Sequence, residues 1–265
     1  MRRYMLVVKA TPEIEAGTFP DPAFEAESAR YLSDLTKAGA LIACDRLQPS
    51  SHGKRVHYKA GEFTVTDGPF AETKELVAGY CMIRAASLEE AVAWAKRMPF
   101  QAGDVDVRPL FELTDFPVDP AEQPGGWREK EAEMKAAPPP AHKPGTTRYM
   151  GLLKADRNTE AGVMPDERAL AAMGAFIEEA AKSGVLLGGE GLQPSSQSAR
   201  VRFSGGQRFV TDGPFAETKE LVAGYAILQF ATPAEALDWT KRFVQVDAPG
   251  RLNSECECEL WPIVN

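Results

Sequence analysis

Histidine is scarce in this chain: three residues in 265, at His52, His57 and His142. Cysteine is scarce too, with Cys44, Cys81, Cys256 and Cys258 too few for a disulfide framework at this length. They read as ordinary packing residues, since a zinc site needs about four ligands at suitable spacing and no histidine accompanies the Cys256-x-Cys258 pair. There is no run of ~18 apolar residues, which excludes a membrane-spanning helix. The apolar stretch after Met1-Arg2-Arg3 is too short for a secretory leader, so a cytoplasmic protein is expected. Basic residues are outnumbered, 30 against 38, giving a net charge of -8. An acidic surface does not suit a general nucleic-acid binder, whose affinity comes from neutralising phosphates. No Walker loop, dinucleotide-binding glycine motif, nucleophile elbow or paired-histidine zinc motif occurs, and neither cofactor nor metal is expected.

What the chain does contain is itself, twice. Thr66 to Tyr80, reading TDGPFAETKELVAGY, recurs unchanged as Thr211 to Tyr225, an offset of 145. Leu47-Gln48-Pro49-Ser50-Ser51 matches Leu192-Gln193-Pro194-Ser195-Ser196, and Glu15-Ala16-Gly17 matches Glu160-Ala161-Gly162. Over residues 1–98 and 146–243 there are 44 identities without a gap, and 16 of them form the unbroken block from Val65 to Tyr80. The remaining 28 are spread over 82 positions, so the copies have drifted apart everywhere but in that block. Residues 116–147 hold Pro138-Pro139-Pro140 and Gly125-Gly126, a linker composition; charged Trp127 to Ala136 within it could form a short helical turn. The organisation is therefore a first domain over 1–115, a linker over 116–147 and a second domain over 148–265.

Periodicity gives each copy the order strand, helix, strand, hairpin, strand, helix, strand. In the first copy Tyr4 to Ala10 reads as a strand, Pro22 to Ala38 as a helix stopped by Gly39, and Ala40 to Leu47 as a strand. Arg55 to Tyr58 and Glu62 to Val65 flank Ala60-Gly61, which is hairpin chemistry. Leu76 to Ile83 follows as a strand, then a helix opened by a Ser87/Glu90 capping box and closed before Pro99, then Val105 to Leu113. With the hairpin treated as an insertion, this is the βαββαβ pattern of ferredoxin-like α+β domains. Helices on one face leave the other face of each sheet needing cover, and the two copies are expected to supply it by pairing through their sheets.

The repeated block carries the candidate chemistry. Asp67-Gly68-Pro69 is turn-forming, and Asp212-Gly213-Pro214 repeats it. The possible acid–base residues are Asp67, Glu72 and Lys74, with Asp212, Glu217 and Lys219 in the second copy; extended backbone would put Glu72 and Lys74 on one face. Gln48, Ser50, Gly68, Pro69, Phe70 and Thr73 could line a ligand cleft, as could Gln193, Ser195, Gly213, Pro214, Phe215 and Thr218. A histidine base common to both copies is excluded, because His52 and His57 align with Gln197 and Arg202.

The phrase DGPFAETKE, preceded by a hydrophobic-Thr pair, resembles the signature of the DGPF branch of the YCII-related family. The resemblance covers both copies. It implies two ferredoxin-like domains paired as a dimeric α+β barrel, here within one chain. It also implies a His–Asp pair in a cleft, for which Asp67 and Asp212 are the matching acids while no histidine stands at a shared position. Genes of this kind resemble those found beside alternative sigma factors, which implies a regulatory setting with a sigma factor or other protein as a partner. Three readings follow: a small-molecule-binding or regulatory module, a cofactor-independent enzyme using the carboxylates of the block, or a block that only fixes the junction between the copies.

Overall fold

The computed structural model describes residues 1–18, 21–71, 76–112, 115, 141–217 and 221–264. The first repeat contains β1 (Arg2–Lys9), α1 (Pro12–Glu15), α2 (Pro22–Lys37), β2 (Leu41–Arg46), β3 (Lys54–Lys59), β4 (Glu62–Asp67), β5 (Val77–Ala85), α3 (Leu88–Lys96) and β6 (Gly103–Pro109). The second contains β7 (Thr147–Lys154), α4 (Arg157–Glu160), α5 (Glu167–Ser183), β8 (Leu186–Gly191), β9 (Ala199–Ser204), β10 (Gln207–Asp212), β11 (Val222–Phe230), α6 (Pro233–Asp247) and β12 (Glu255–Pro262). These strands and the longer helices follow the hydrophobic period, whereas the one-turn helices α1 and α4 are too short to show one. The linker turn expected at Trp127 to Ala136 lies outside the described residues.

Local chemistry explains the boundaries. Asp21 and Asp166 accept the amides of Phe24 and Ala169, each at 2.8 Å, capping α2 and α5. Gly184 ends α5 at φ 70°, a conformation that a side chain disfavours. At α3, Ser87 accepts the Glu90 amide, while the Glu90 carboxylate takes the amide of Ala86 rather than that of Ser87. The β3–β4 turn places Ala60 and Gly61 at φ 52° and 91°, and Gly205 and Gly206 do the same between β9 and β10, the positive-φ pair that two-residue hairpins use.

Two six-stranded antiparallel sheets make up this mixed α+β fold, ordered β10-β9-β6-β1-β5-β2 and β4-β3-β12-β7-β11-β8. The hairpin is not a simple insertion into its own copy. The β3–β4 hairpin of the first repeat extends the second sheet by pairing β3 with β12, and β9–β10 extends the first by pairing β9 with β6. Each sheet is completed by the other half of the chain. Sequence periodicity identifies a hairpin but carries no information on which edge strand receives it, because every antiparallel edge offers the same backbone groups.

Side-chain alternation divides each sheet into two faces. Tyr4, Leu6, Ile83, Val105 and Val107 turn to the core that includes α3 residues. Met5, Val7 and Tyr80 turn the other way and share one core with Met150, Leu152 and Trp261 of the second repeat. Reciprocal ion pairs cross between the halves: Arg3 with Glu190, and Arg148 with Asp45 at 2.9 Å. Tyr80 and Tyr225, equivalent residues, stand 6.3 Å apart between them.

One sequence expectation needs correction. Cys44 and Cys81 are joined by a disulfide rather than merely packed. Their pairing follows from register, which sets Cys44 directly opposite Cys81 on β2 and β5, and register is invisible in residue spacing 37 apart. Cys256 and Cys258 are buried free thiols, and burial pushes both well above the ordinary thiol range.

Candidate functional site

The repeated block sits where each hairpin leaves its own half. β4 ends at Asp67, and a cis Gly68-Pro69 bond turns the chain; Gly213-Pro214 does the same after β10. The turn presses against the Leu-Gln-Pro-Ser-Ser repeat. A Cβ on Gly68 would lie 1.7 Å from the Ser50 carbonyl oxygen, and one on Gly213 would lie 1.8 Å from that of Ser195. Glycine is needed there for close approach. The Gly68 amide donates to Gly53 O at 3.1 Å, and the Phe70 amide to Ser50 Oγ at 3.2 Å. In the second copy Gly213 donates to Ser198 O at 2.9 Å and Phe215 to Ser195 Oγ at 3.1 Å. Beneath each serine lies a carboxylate: Glu15 accepts the Ser50 amide at 3.0 Å, and Glu160 accepts the amide of Ser195 at 3.0 Å as well as its hydroxyl.

Next to each turn is a buried charge cluster built from both halves. Arg200 grips Asp106 with two bonds, 2.6 and 3.0 Å, and its guanidinium stacks over Phe215 at 4.5 Å. Lys9 Nζ stands 4.0 Å from the same carboxylate. In the other cluster Arg55 bonds Glu259 at 2.6 Å, lies over Phe70 at 4.8 Å, and Lys154 Nζ approaches Glu259 to 3.6 Å. Two residues beyond the acid, the copies part. Trp261 donates its indole N–H to Glu259 at 3.3 Å, whereas the corresponding residue is Arg108.

Arg108 is 1% exposed. Its Nη2 donates to Gln193 O at 2.6 Å and lies 3.6 Å from Glu160 Oε1, while its Nε has no hydrogen-bond partner. Burial pushes its proton affinity down, the Glu160 and Asp106 carboxylates push back, and Arg200 adds to the lowering. Among the described residues, Lys9, Arg108 and Arg200 meet the carboxylates of Asp106 and Glu160 here.

Of the residues nominated from sequence, the structure gathers Gln193, Ser195, Gly213 and Phe215 around this cluster. Ser50, Gly68 and Phe70 occupy the equivalent places by the other, and the Gln48 backbone N–H donates across to Pro262 O at 3.0 Å. Gln193 also donates its side-chain amide to Asp115 at 2.7 Å. Asp67 and Asp212 stay on the surface; Asp67 is 74% exposed at its side chain and bonded to Lys54. Pro214 and Glu217 are exposed. Glu72, Thr73, Lys74, Thr218 and Lys219 lie outside the described residues. His57 meets Glu255 of the second half at 2.7 Å. The charged residues of the clusters were not nominated, although Lys9/Lys154, Glu15/Glu160 and Arg55/Arg200 are identical across the offset. Asp106, Arg108 and Glu259 lie beyond the gap-free match and carried no such signal.

Residues 2–114 and, again, 147–251 match the YCII-related domain. The chain is also similar to an uncharacterised protein of Rhizobium meliloti, 38% identical over 94 residues that cover 32% of this chain and 76% of that one. Among the described residues, no helix is long and apolar enough to cross a membrane. The chain belongs to the YCII-related family and carries its domain twice.

Proposed function

We propose that this chain is a small-molecule-binding module with a regulatory role, and that the cluster around Arg108 receives a small anion such as a carboxylate. The observation that carries this reading is Arg108 itself: a wholly buried guanidinium with an unbonded Nε. Buried polar groups are ordinarily bonded, and planar guanidinium forks recognise carboxylates well. Trp261 fills the equivalent place by the other turn, so the reading makes one half the receptor and the other its scaffold. A general-base role for Asp67 calls for burial, and its exposure favours binding over catalysis.

The finer architectural reading goes with this. Within each repeat the strands kept in the home sheet run in the order fourth, first, third, second, which supports a ferredoxin-like unit, and the shared core supports pairing of the sheets as an α+β barrel. The block motif supports placement in the DGPF branch, and with it a sigma factor as downstream partner.

The test is calorimetry and thermal shift with acetate, succinate and phosphate on the wild type and Arg108→Met. An anion-dependent rise in melting temperature that disappears in Arg108→Met is expected. No response to any anion in the wild type, or an equal response in the variant, overturns the proposal.

A further inference from the structure

On the opposite, helix-covered face of the second sheet lies a cavity of about 270 Å³. Its floor is glycine-rich, with Gly151, Gly189 and Gly224 from three adjacent strands, and its wall is aromatic, with Phe176, Trp239 and Phe243. The Phe176 and Trp239 rings stand 5.2 Å apart. Ile177, 43% exposed, belongs to the same lining and marks its mouth.

The cavity exists because of particular residues. At the offset of 145, Gly151 corresponds to Leu6 and Ala180 to Leu35, both 0% exposed in the first repeat. Gly189 and Ala226 correspond to the disulfide-bonded Cys44 and Cys81. No backbone constraint demands glycine at 151: a Cβ there would meet only ordinary van der Waals contacts, 3.7 Å from Cys258 Sγ and 3.9 Å from Ala226 O. Glycine inside a strand is otherwise a cost.

One corner of the lining is polar. Helix α6 runs on to Asp247, where α3 stops at Lys96 before Pro99, and the longer helix with the 3-10 turn that follows it brings in Asp247 and Arg251. The Arg251 side chain is 8% exposed and bonds Asp247 through Nε, yet its Nη1 is a buried donor without a hydrogen-bond partner. Asp156 also faces Arg251 while accepting the Leu252 amide at 3.0 Å. The arginine charge is therefore already offset by two carboxylates, and a second anion would be repelled. A neutral acceptor suits it.

We infer that this cavity is a binding site for a flat, uncharged, ring-bearing molecule with a single carbonyl acceptor, its ring between the glycine floor and the aromatic wall and its oxygen on Arg251 Nη1. A cavity of about 150 Å³ accommodates benzene, so the larger space here suits roughly ten non-hydrogen atoms. The site lies on the helix-covered face of the second sheet, whereas Lys9, Asp106, Arg108 and Arg200 stand on strands of the first, and it is independent of that cluster.

Acetophenone, toluene and benzoate serve as probes, with binding read by calorimetry and by ligand-observed NMR. Acetophenone is expected to bind more tightly than toluene, and benzoate more weakly than either. Gly151→Leu, which restores the side chain of the first repeat, should weaken acetophenone at least ~10-fold by filling the space. Ala180→Leu is a second filling variant with the same expectation should the first misfold. Arg251→Met should weaken acetophenone by about 10-fold, the worth of one hydrogen bond to a charged group, and leave toluene unchanged. Absence of acetophenone binding, unchanged binding in a folded filling variant, or benzoate binding at least as tightly as acetophenone overturns the inference.

Discussion

The two halves treat their helix-facing cores differently and their junction identically. In the first, Leu6 and Leu35 are wholly buried and a disulfide closes the floor beneath α2; in the second, Gly151, Ala180, Gly189 and Ala226 leave a cavity under α5 and α6. At the strand exchange the copies agree to within tenths of an ångström, from the glycine pressed on the serine carbonyl to the phenylalanine amide on the serine hydroxyl. A helix–sheet core is packed by one repeat mostly alone, so it can change in one copy without consequence for the other. The exchange turn serves both halves at once, since each sheet depends on the other half's hairpin. The comparison separates residues that hold the chain together from residues free to acquire a ligand.

The largest effect should come from breaking the agreement. Gly68→Ala and Gly213→Ala both drive a methyl into a carbonyl oxygen, and each is expected to cost on the order of 4 kcal/mol or more, read as loss of the cooperative transition in urea. If one variant folds normally, the two turns are not equivalent joints. The charge clusters come next. Asp106→Asn removes the buried carboxylate that Arg200 grips and that Lys9 and Arg108 face, at about 3–5 kcal/mol. Glu259→Gln affects Lys154 and Arg55, and Arg55 keeps Glu257 at 3.5 Å, so it should cost less. Equal losses in denaturant melts would remove the asymmetry assigned to Arg108.

In the core, Leu6→Ala should cost about 2–5 kcal/mol as a new cavity opens in the tight half. Gly151→Ala in the other half should be neutral or stabilising by less than ~1 kcal/mol, since the methyl occupies open space and glycine is a poor strand residue. Comparable destabilisation by both would mean the second core is as tightly filled as the first.

The smallest effect depends on pH. Burial raises the Glu257 carboxyl above its ordinary value, with Arg55 opposing. A raised folded value means that the neutral acid favours the fold fully below the unfolded pKa, and this benefit is lost as pH rises through the folded value. Glu257→Gln should therefore stabilise the protein at pH 7 by up to about 1 kcal/mol, with the difference vanishing toward pH 4. Its counterpart Asp104 makes two 2.8 Å bonds to Arg202, and Asp104→Asn should instead cost roughly 0.5 kcal/mol at pH 7. Melting temperatures of the two variants from pH 4 to 8 decide it.

Much of the local structure was legible in residue order. Strand alternation from Tyr4 onward, the Gly39 stop, the Ala60-Gly61 hairpin and the Pro99 break each act over a few residues, so sequence fixes them. The turn was legible as well, because Asp-Gly-Pro has few alternatives. The site was half legible: Ser195, Phe215 and Gln193 stood out through the repeat, whereas Asp106 and Arg108 sit on a strand whose register with β9 no spacing reveals.

By itself, then, the sequence determined a duplicated α+β unit, its elements and its one invariant turn, since these rest on backbone preference and hydrophobic period. Tertiary structure alone decided that the hairpins change sheets, that Cys44 meets Cys81, that a buried charge cluster forms from both halves and that the second core is hollow. Each of those depends on which distant strands share a ladder, and a ladder is held by backbone groups that every residue but proline presents alike.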